Sequence, residues 1–454
     1  MGKYFGTDGF RGEAGVTLTA EQAYKVGRFL GVFSKIGIKG RPRIAIGKDT
    51  RRSSYMLEYA IAAGLAASGA DAYMLHVTTT PCVSFVTASD AFNFGIMISA
   101  SHNPFYDNGI KIVNHRGEKI DDEIIAKIEA YIDGAVDDIP FAIGADVGEI
   151  VDYYAGRNRY IGFLISLSRH SFKNYKVGID AANGGAWMIA KSVFDALGAK
   201  TSVINAEPNG LNINVDSGST HIEALVKHVR DNSLDFGFAF DGDADRCIAV
   251  DERGEVVNGD HILYILANSM RHSGELKNNT VVTTVMSNLG LYHAFDEVGI
   301  NYEQTSVGDR FVYENMQKSG HTLGGEQSGH VIISKYATTG DGIITAIKLM
   351  EAIIDSKMSL GALASPVKML PQVTINVNVK DKSATVNNEI VLSAVRFVEE
   401  KLGRHGRILL RESGTEAVVR VMVEAECESI CRKYCEHVAN VIREEEGNRE
   451  QENL

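Results

Sequence analysis

One apolar segment is followed within six residues by side chains that can do chemistry. Ser99-Ala100-Ser101-His102-Asn103-Pro104 comes directly after the apolar run Phe94–Ile98. A short apolar run stopped by Asn-Pro indicates a buried strand that enters a sharp turn. Ser101 is therefore predicted at the carboxyl end of a strand, where open α/β sheets place their ligands. The alternative is a turn whose hydroxyls hydrogen-bond local backbone groups.

Three carboxylates at alternate positions form a second candidate site. Asp241, Asp243 and Asp245 follow the apolar run Phe236–Phe240 and are separated only by Gly and Ala. Their oxygens can converge on one hard cation, and three such charges repel one another unless a cation is bound. Hard ligands favour Mg²⁺, and the adjacent Arg246 suits a phosphate. The alternatives are a solvated acidic loop or an EF-hand, which would need glycine where Arg246 stands.

Two glycine-containing segments offer groups for a sugar and for a phosphate. Gly324–His330 places an acid, an amide, a hydroxyl and an imidazole between glycines, so it can approach a polyhydroxylated ligand. Arg411–Glu416, with Arg420 beyond it, combines guanidinium groups, hydroxyls and backbone N–H groups for a phosphate. The alternatives are a plain glycine-rich turn and a surface hairpin. Together, the four segments suit phosphoryl transfer on a sugar phosphate.

The elements that must position these groups recur in three similar rounds. Each round has a strand, a polar turn, a helix, a second strand and then a motif, with first strands predicted at Arg43–Ile46, Tyr175–Asp180 and Thr280–Val285. This recurrence predicts repeated α/β units with helices on the faces of mostly parallel sheets. The last part, with an alternating strand at Val373–Val379 and a helix over Val386–Lys401, predicts an α+β domain.

Composition limits the classes of function. The chain has 454 residues and a net charge of −12, which disfavours a nucleic-acid or anionic-membrane binder. Five scattered cysteines predict a reducing compartment, and Cys427, Cys431 and Cys435 are predicted to be core residues of a helix. An N-terminus without an apolar stretch predicts no signal peptide and a cytoplasmic location. The polar tail from Arg443 is predicted to fray.

Along nearly its whole length the chain resembles the α-D-phosphohexomutases. The resemblance rests on Tyr4-Phe5-Gly6-Thr7-Asp8-Gly9, Ser99–Pro104, Asp241–Arg246, Val307-Gly308-Asp309-Arg310 and Gly324–His330, in this order. It implies three related mixed-sheet α/β domains and a smaller C-terminal α+β domain around a central active-site cleft. The expected boundaries are 1–155, 156–254, 255–370 and 371–454.

The resemblance also implies a site and a reaction. Ser101 would be a phosphoserine that, with the three aspartates, holds Mg²⁺, and Arg246 would bind phosphate. Arg11, His102 and Lys111 would balance charge or move a proton. The substrate would be held by the remaining site residues: Arg310, Glu326, Ser328, His330, Arg411, Ser413, Gly414, Thr415 and Arg420.

Within the family the motifs match most closely the branch that acts on glucosamine phosphates. That branch interconverts glucosamine 6-phosphate and glucosamine 1-phosphate through a sugar 1,6-bisphosphate and supplies amino-sugar nucleotide and cell-wall precursor synthesis. A monomer or homodimer is expected. The alternatives are a mutase for glucose or mannose phosphates, which Gln327 and Arg310 disfavour, and a non-catalytic sugar-phosphate binding protein. Two departures from the pattern are Ala417, where the family has Pro, and Ser217, where this branch commonly has Cys.

Overall fold

The computed structural model describes residues 2–6, 8–36, 40–135, 139–413 and 417–452. The chain divides into two compact units, Met1–Met286 with Ile300–Pro366, and Ser287–Gly299 with Val367–Leu454. None of the helices in the described ranges combines the length and the apolarity needed to cross a membrane.

The strands fall into four sheets, three in the first unit and one in the second. Those of the first sheet are β1 Phe5–Gly6, β2 Gly9–Glu13, β3 Arg43–Lys48, β4 Asp71–Val77, β5 Phe94–Ile98, β6 Asp107–Asn114 and β7 Ile150–Asp152. The second has β8 Lys176–Asp180, β9 Lys200–Ile204, β10 Phe236–Phe240, β11 Cys247–Val250 and β12 Val256–Val257. The third has β13 Thr280–Thr284, β14 Asn301–Thr305, β15 Leu323–Gly325 and β16 Val331–Ile333, and the fourth has β17 Gln372–Asn378, β18 Gly406–Glu412 and β19 Val418–Ala425.

Helices connect these strands. The helices that come before β10 along the chain are α1 Ala20–Phe33, α2 Arg52–Ala67, α3 Thr80–Ser89, α4 Asp122–Ile132, α5 Tyr154–Ser166, α6 Ile189–Ala196 and α7 Glu223–Asp231. The later ones are α8 Gly259–His272, α9 Leu289–Val298, α10 Asp309–Ser319, α11 Gly342–Ser356, α12 Leu360–Ala364, α13 Lys382–Val386, α14 Glu389–Leu402 and α15 Glu428–Glu452.

The first three sheets repeat one strand order. The sequence of neighbours is β6-β5-β3-β4 in the first sheet, β11-β10-β8-β9 in the second and β16-β15-β13-β14 in the third. In each repeat, the first three strands along the chain are parallel, and the fourth turns back antiparallel to the third as a hairpin. The predicted repeat of mixed-sheet α/β units is confirmed.

Each predicted motif lies in the loop of an antiparallel hairpin. Ser101 lies between β5 and β6, the three aspartates between β10 and β11, and Glu326 between β15 and β16. Both β5 and β10 are buried at every position, so burial fixes their register and therefore the point at which each loop begins. In the second unit, Ser413 and Ala417 lie between β18 and β19.

The second unit is the predicted α+β domain, with two corrections. In the antiparallel sheet β17-β19-β18, Cys431 and Cys435 are fully buried in the core as predicted, but Cys427 is exposed because it precedes the first residue of α15. The prediction of a frayed tail is also wrong, since α15 continues to Glu452. Glu446 accepts hydrogen bonds from the Lys380 N–H at 3.1 Å and the Thr385 hydroxyl at 2.9 Å, which anchors the polar end of the helix.

A buried carboxylate caps α11 and provides a test of pH dependence. Asp341 Oδ1 accepts from the N–H groups of Ile343 and Ile344, at 3.0 and 2.9 Å, and Oδ2 accepts from the hydroxyl of the buried Tyr160 at 2.6 Å. Burial raises the pKa of Asp341 to about 6, although these hydrogen bonds oppose the shift. The stability that Asp341 contributes is therefore complete at pH values below its unfolded pKa and falls as the pH rises through 6.

We expect the stability of the Asp341→Asn variant, relative to the wild type, to increase with rising pH. Asparagine caps helices as well as aspartate does and carries no charge, so only the wild type loses stability across this range. The difference in unfolding free energy, variant minus wild type, should be about 1 kcal/mol larger at pH 8 than at pH 5. Chemical denaturation at the two pH values measures this, and Asp381→Asn at the exposed N-cap of α13 is the control. A difference that does not change with pH would contradict the raised pKa.

Candidate active site

Ser101 occupies a backbone conformation that few residues other than glycine adopt. Its φ is +52° and its side chain is buried. Such conformations are costly and concentrate at functional sites. The Ser101 hydroxyl donates a hydrogen bond to Asp241 Oδ2, so the loop between β5 and β6 directs the serine at the aspartate loop.

Two buried side chains hold the Ser101 loop in place. Arg51 Nη2 donates to the carbonyl oxygens of Ser101 at 3.1 Å and Asn103 at 2.6 Å. Asn214 Nδ2 donates to the same two oxygens at 2.8 and 3.2 Å. Arg51 is itself paired with the buried Asp49, so its guanidinium is fixed. Sequence reasoning missed these residues, because no local pattern connects Asn214 to a loop more than a hundred positions earlier.

The three aspartates form a buried site whose free oxygens suit a hard cation. One ligand oxygen from each of Asp241, Asp243 and Asp245 lies within 4.8 Å of the others. Asp243 Oδ1 and Asp245 Oδ1 are buried and accept no hydrogen bond from the described residues. Burial, with the charges of Asp245 and Asp243, raises the pKa of Asp241 well above its ordinary value. Orphaned carboxylate oxygens held this close fit a divalent cation such as Mg²⁺.

The Lys111 ammonium neutralises part of this charge. Its Nζ lies 2.8 Å from Asp243 Oδ2, 3.3 Å from Asp245 Oδ2 and 3.1 Å from Asp8 Oδ2. Burial favours neutral lysine, but the three carboxylates hold the pKa of Lys111 well above its ordinary value. Lys111 is therefore a protonated cation at neutral pH in this structure.

An alternating chain of charges continues from Lys111 to the glycine-rich loop. Asp8 pairs with Lys119 at 3.0 Å, Lys119 pairs with Asp309 at 2.7 Å, and Asp309 Oδ2 lies 3.5 Å from His330 Nε2. Asp8 and Asp309 stand in segments that carry the family resemblance, but their contacts were not predicted. This charge chain links the loops of the first and third sheets.

The other charged groups around Ser101 are also placed together. Arg11 donates to Asn103 Oδ1 at 3.0 Å and to Asp8, and His102 Nδ1 lies 3.5 Å from Ser101 Oγ. Burial, with the nearby Arg246 and Arg11, lowers the pKa of His102 to about 4, so its imidazole is neutral. The backbone N–H of Arg246 donates to Asp241 Oδ1 at 3.2 Å. The buried Nε of Arg246 has no hydrogen-bond partner among the described residues.

The glycine-rich loop is paired with the aspartate loop through the backbone. His330 and Arg246 form an isolated antiparallel bridge, and the Cys247 N–H donates to the Gly329 carbonyl at 3.0 Å. Glu326 is half-buried and accepts from the Gly308 N–H at 3.1 Å, and Ser328 is exposed. The structure therefore brings three of the four predicted motifs to one place in the first unit.

Arg310 lies in a different environment from these residues. Its guanidinium donates to both carboxylate oxygens of Asp122, at 2.6 and 3.1 Å, and to Glu314 at 2.8 Å. These hydrogen bonds to Asp122 and Glu314 raise the pKa of Arg310 above its ordinary value. A substrate would therefore have to compete with two carboxylates for this side chain.

The fourth motif belongs to the second unit. Arg411 and Arg420 are directly opposite each other on β18 and β19, and burial together with the Arg420 charge lowers the pKa of Arg411. Two facing guanidinium groups repel each other, and an anion would relieve that repulsion. Ser413 is buried, and its carbonyl accepts from Lys382 Nζ at 2.7 Å. Gly414 and Thr415, which were predicted to bind phosphate, lie outside the described residues.

Gly242 permits a close approach between the backbones of the serine and aspartate loops. A Cβ at this position would lie 2.5 Å from the Ser101 carbonyl oxygen and 3.0 Å from Asn214 Nδ2. Because Arg51 and Asn214 fix that carbonyl, we expect Gly242→Ala to displace Ser101 from Asp241 and lower kcat about 100-fold. Steady-state turnover measures the loss. The control is Gly162→Ala in α5, where a Cβ meets nothing within 4 Å. Full activity in Gly242→Ala would contradict the close packing.

Ser217, one of the two departures from the family pattern, is fully buried. Its hydroxyl has no hydrogen-bond partner among the described residues. A buried hydroxyl without a partner is unfavourable, whereas a thiol behaves as a small apolar group. We expect Ser217→Cys to raise the free energy of unfolding by about 1 kcal/mol with unchanged turnover. Denaturant unfolding measures this change, and a clear loss of stability would indicate that the hydroxyl is satisfied.

Family models match four consecutive parts of the chain. They are described as phosphoglucomutase/phosphomannomutase alpha/beta/alpha domain I at residues 2–137, domain II at 158–254, domain III at 258–369, and the C-terminal domain at 375–441.

Relatives and solved structures agree with this assignment. Phosphoglucosamine mutase of Lachnospira eligens is 61% identical over 98% of this chain and 99% of its own. The fold resembles a phosphoglucomutase/phosphomannomutase family protein from Burkholderia thailandensis, with a TM-score of 0.79, 22% identity and 98% of each chain covered. It also resembles Aspergillus fumigatus N-acetylphosphoglucosamine mutase in complex with GlcNAc-6P and magnesium, with a TM-score of 0.72, 17% identity and 98% and 96% coverage. The chain therefore belongs to the α-D-phosphohexomutase family and, within it, to the phosphoglucosamine mutases.

Proposed function

We propose that this mutase interconverts glucosamine 6-phosphate and glucosamine 1-phosphate through a phosphoserine at Ser101. The observation that carries the proposal is the hydrogen bond from the buried Ser101 hydroxyl to Asp241, within a cluster of three carboxylates. A hydroxyl held against a cation-binding cluster suits a group that accepts and returns a phosphoryl group.

The reaction is proposed as two phosphoryl transfers. In the first, the bond between phosphorus and Ser101 Oγ breaks, a bond to the sugar O1 forms, and the O1 hydroxyl proton passes to a group in the site. The product, glucosamine 1,6-bisphosphate, turns over within the site. In the second, the bond between phosphorus and O6 breaks, the phosphoryl group returns to Ser101, and O6 receives a proton. Arg11, His102 and Lys111 are the proposed groups that balance charge or move the proton.

Asp241, Asp243 and Asp245, with the phosphate on Ser101, are the proposed ligands of one Mg²⁺. The buried, unpartnered oxygens of Asp243 and Asp245 and the closeness of all three carboxylates support this choice. When bound, the ion would neutralise charge on the transferring phosphoryl group. The backbone N–H of Arg246 donates a hydrogen bond to Asp241. Arg246 is proposed to bind the same phosphate, because a guanidinium group can donate two parallel hydrogen bonds to phosphate oxygens.

The remaining predicted residues are proposed to hold the substrate. Glu326, Ser328 and His330 would contact sugar hydroxyls, and the backbone pairing of His330 with Arg246 of the aspartate loop supports this role. The facing arginines of the second unit support a clamp for the phosphate that is not reacting. This clamp would comprise Arg411, Ser413, Gly414, Thr415 and Arg420, with Arg310 as a further substrate contact.

The choice of glucosamine rests on the relatives, which share 46–61% identity and the name phosphoglucosamine mutase. Turnover of purified enzyme with glucosamine 6-phosphate, glucose 6-phosphate and mannose 6-phosphate, under equal Mg²⁺, tests it. We expect kcat/KM to be at least tenfold higher for the glucosamine substrate. A preference for glucose or mannose phosphates would instead assign a phosphoglucomutase or phosphomannomutase. The four domain boundaries, the cytoplasmic location, and the monomeric or homodimeric state stay predictions.

A further inference from the structure

A second cleft opens between the first and second sheets, and its lining includes none of the proposed active-site residues. It has a volume of about 610 Å³, which is large enough for a ligand of several rings. Its walls come from the ends of β3 and β4, the beginnings of α2 and α5, and two loops of the second sheet. Parallel strands present their carboxyl ends here, which is where α/β sheets bind ligands.

The charge of this cleft is opposite to that of the protein. The chain carries a net charge of −12, yet no carboxylate is among the described residues that line the cleft. Arg52 and Arg157 contribute guanidinium groups that form no ion pair with described residues. Arg157 donates a 3.5 Å hydrogen bond to the Val77 carbonyl and lies over the Tyr154 ring. Two further polar side chains of the lining already have carboxylate partners, Lys48 with the buried Glu58 and His76 with Asp152. The arginines are therefore the groups available to an anion.

Aromatic rings lie beside these charges. Tyr154 is 49% exposed, and its ring stacks on His76 with centroids 4.5 Å apart and lies 5.6 Å from the Arg157 guanidinium. Tyr55 is 45% exposed, although the Lys48 ammonium lies 4.2 Å from the centroid of its ring, and Trp187 completes the aromatic lining. His76 also has a φ of +61° at a register shift between β3 and β4, and strain of this kind concentrates at functional sites.

We propose that this cleft binds a nucleotide. Free guanidinium groups bind phosphate oxygens in bidentate pairs, and exposed aromatic rings stack on planar bases. A sugar phosphate would use the arginines but leave the exposed ring surface uncovered, whereas a nucleoside would cover the ring surface but leave the arginine charges unpaired. A ligand that carries both a base and a phosphate uses the whole lining.

The test uses the full-length enzyme, with uridine 5′-monophosphate and adenosine 5′-monophosphate as probes. Trp187 is the single tryptophan of the chain and lines the cleft, so its fluorescence reports binding at this place. Isothermal titration calorimetry measures affinity independently of the fluorescence. We expect at least one nucleotide to bind saturably and to change the Trp187 emission. Uridine, adenosine and inorganic phosphate should each bind at least tenfold more weakly.

Two double variants make the result specific. Arg52→Gln with Arg157→Gln should weaken nucleotide binding at least tenfold without changing mutase turnover, which also shows that the variant is folded. Arg404→Gln with Arg432→Gln removes the same charge from exposed positions of the second unit and should leave binding unchanged. Three results would each overturn the proposal: no binding in calorimetry, undiminished binding in the Arg52/Arg157 variant, or calorimetric binding that leaves the Trp187 emission unchanged, which would place the nucleotide outside this cleft.

Discussion

Ser101→Ala is expected to abolish mutase turnover, with a loss of at least about 10⁴-fold, while the protein remains folded. The substitution removes the only proposed phosphoryl acceptor, so no alternative route is available to the reaction. The fold should persist because the loop is held by Arg51 and Asn214 through the backbone carbonyls of Ser101 and Asn103, which alanine retains.

Three measurements separate this mechanism from a structural effect. Intact-mass analysis should find phosphate on the wild type and none on Ser101→Ala, and thermal unfolding should show similar melting temperatures. Ser89→Ala removes an exposed hydroxyl at the end of α3 and should leave turnover and phosphorylation unchanged. A folded Ser101→Ala protein with near-normal turnover would exclude the phosphoserine mechanism.

Asp243→Asn is the second large expected effect, with a loss of Mg²⁺ affinity of about 100-fold and a comparable fall in turnover at low Mg²⁺. The substitution removes one charge and one strong oxygen ligand from the three-aspartate cluster. Asp243 also accepts hydrogen bonds from Lys111 at 2.8 Å and from the Thr80 hydroxyl, so the position of Lys111 should change as well.

Calorimetric titration with Mg²⁺ provides a readout that does not depend on catalysis. Asp231→Asn, which removes one exposed carboxylate from α7, is the matched control for net charge. Raising the Mg²⁺ concentration should recover part of the lost turnover. Unchanged Mg²⁺ affinity in Asp243→Asn, or full wild-type activity after exhaustive chelation, would show that the metal site lies elsewhere.

The sequence predicts well those features that depend on residues close to one another along the chain. The alternation of Asp241, Asp243 and Asp245 after a buried strand is enough to place three carboxylates together, and the structure confirms their convergence. Helix α1 begins at Ala20 because Thr19 and Gln22 form a capping box, a pattern of residues that lie three positions apart in the sequence. The recurrence of strand, helix and strand likewise predicts the shared order of the first three sheets, because each round buries its own apolar strands.

What the sequence does not reveal depends on partners that are distant along the chain. Nothing around Asn214 indicates that it holds the carbonyl of Ser101, and the polar tail from Arg443 contains no sign that Thr385 will bind Glu446. The helix predicted from Val386 begins instead at Glu389, because Asn388 caps α14 after a separate short helix. In each case a tertiary hydrogen bond or a cap determines the outcome, and neither changes the local hydrophobic pattern.

The charge chain from Lys111 through Asp8 and Lys119 to Asp309 limits how freely parts of this enzyme can be exchanged. Its members come from segments around the first and third sheets, so a chimera with a relative would join charges that have not been selected together. Breaking one of these partly buried pairs leaves an uncompensated charge and lowers the stability of the fold. If the part of the chain that forms the third sheet came from a relative without a carboxylate at position 309, Lys119 would therefore need a matching change. These repeated units are consequently not independent modules. Recombination between family members should succeed only when the first-sheet and third-sheet members of the charge chain come from the same parent.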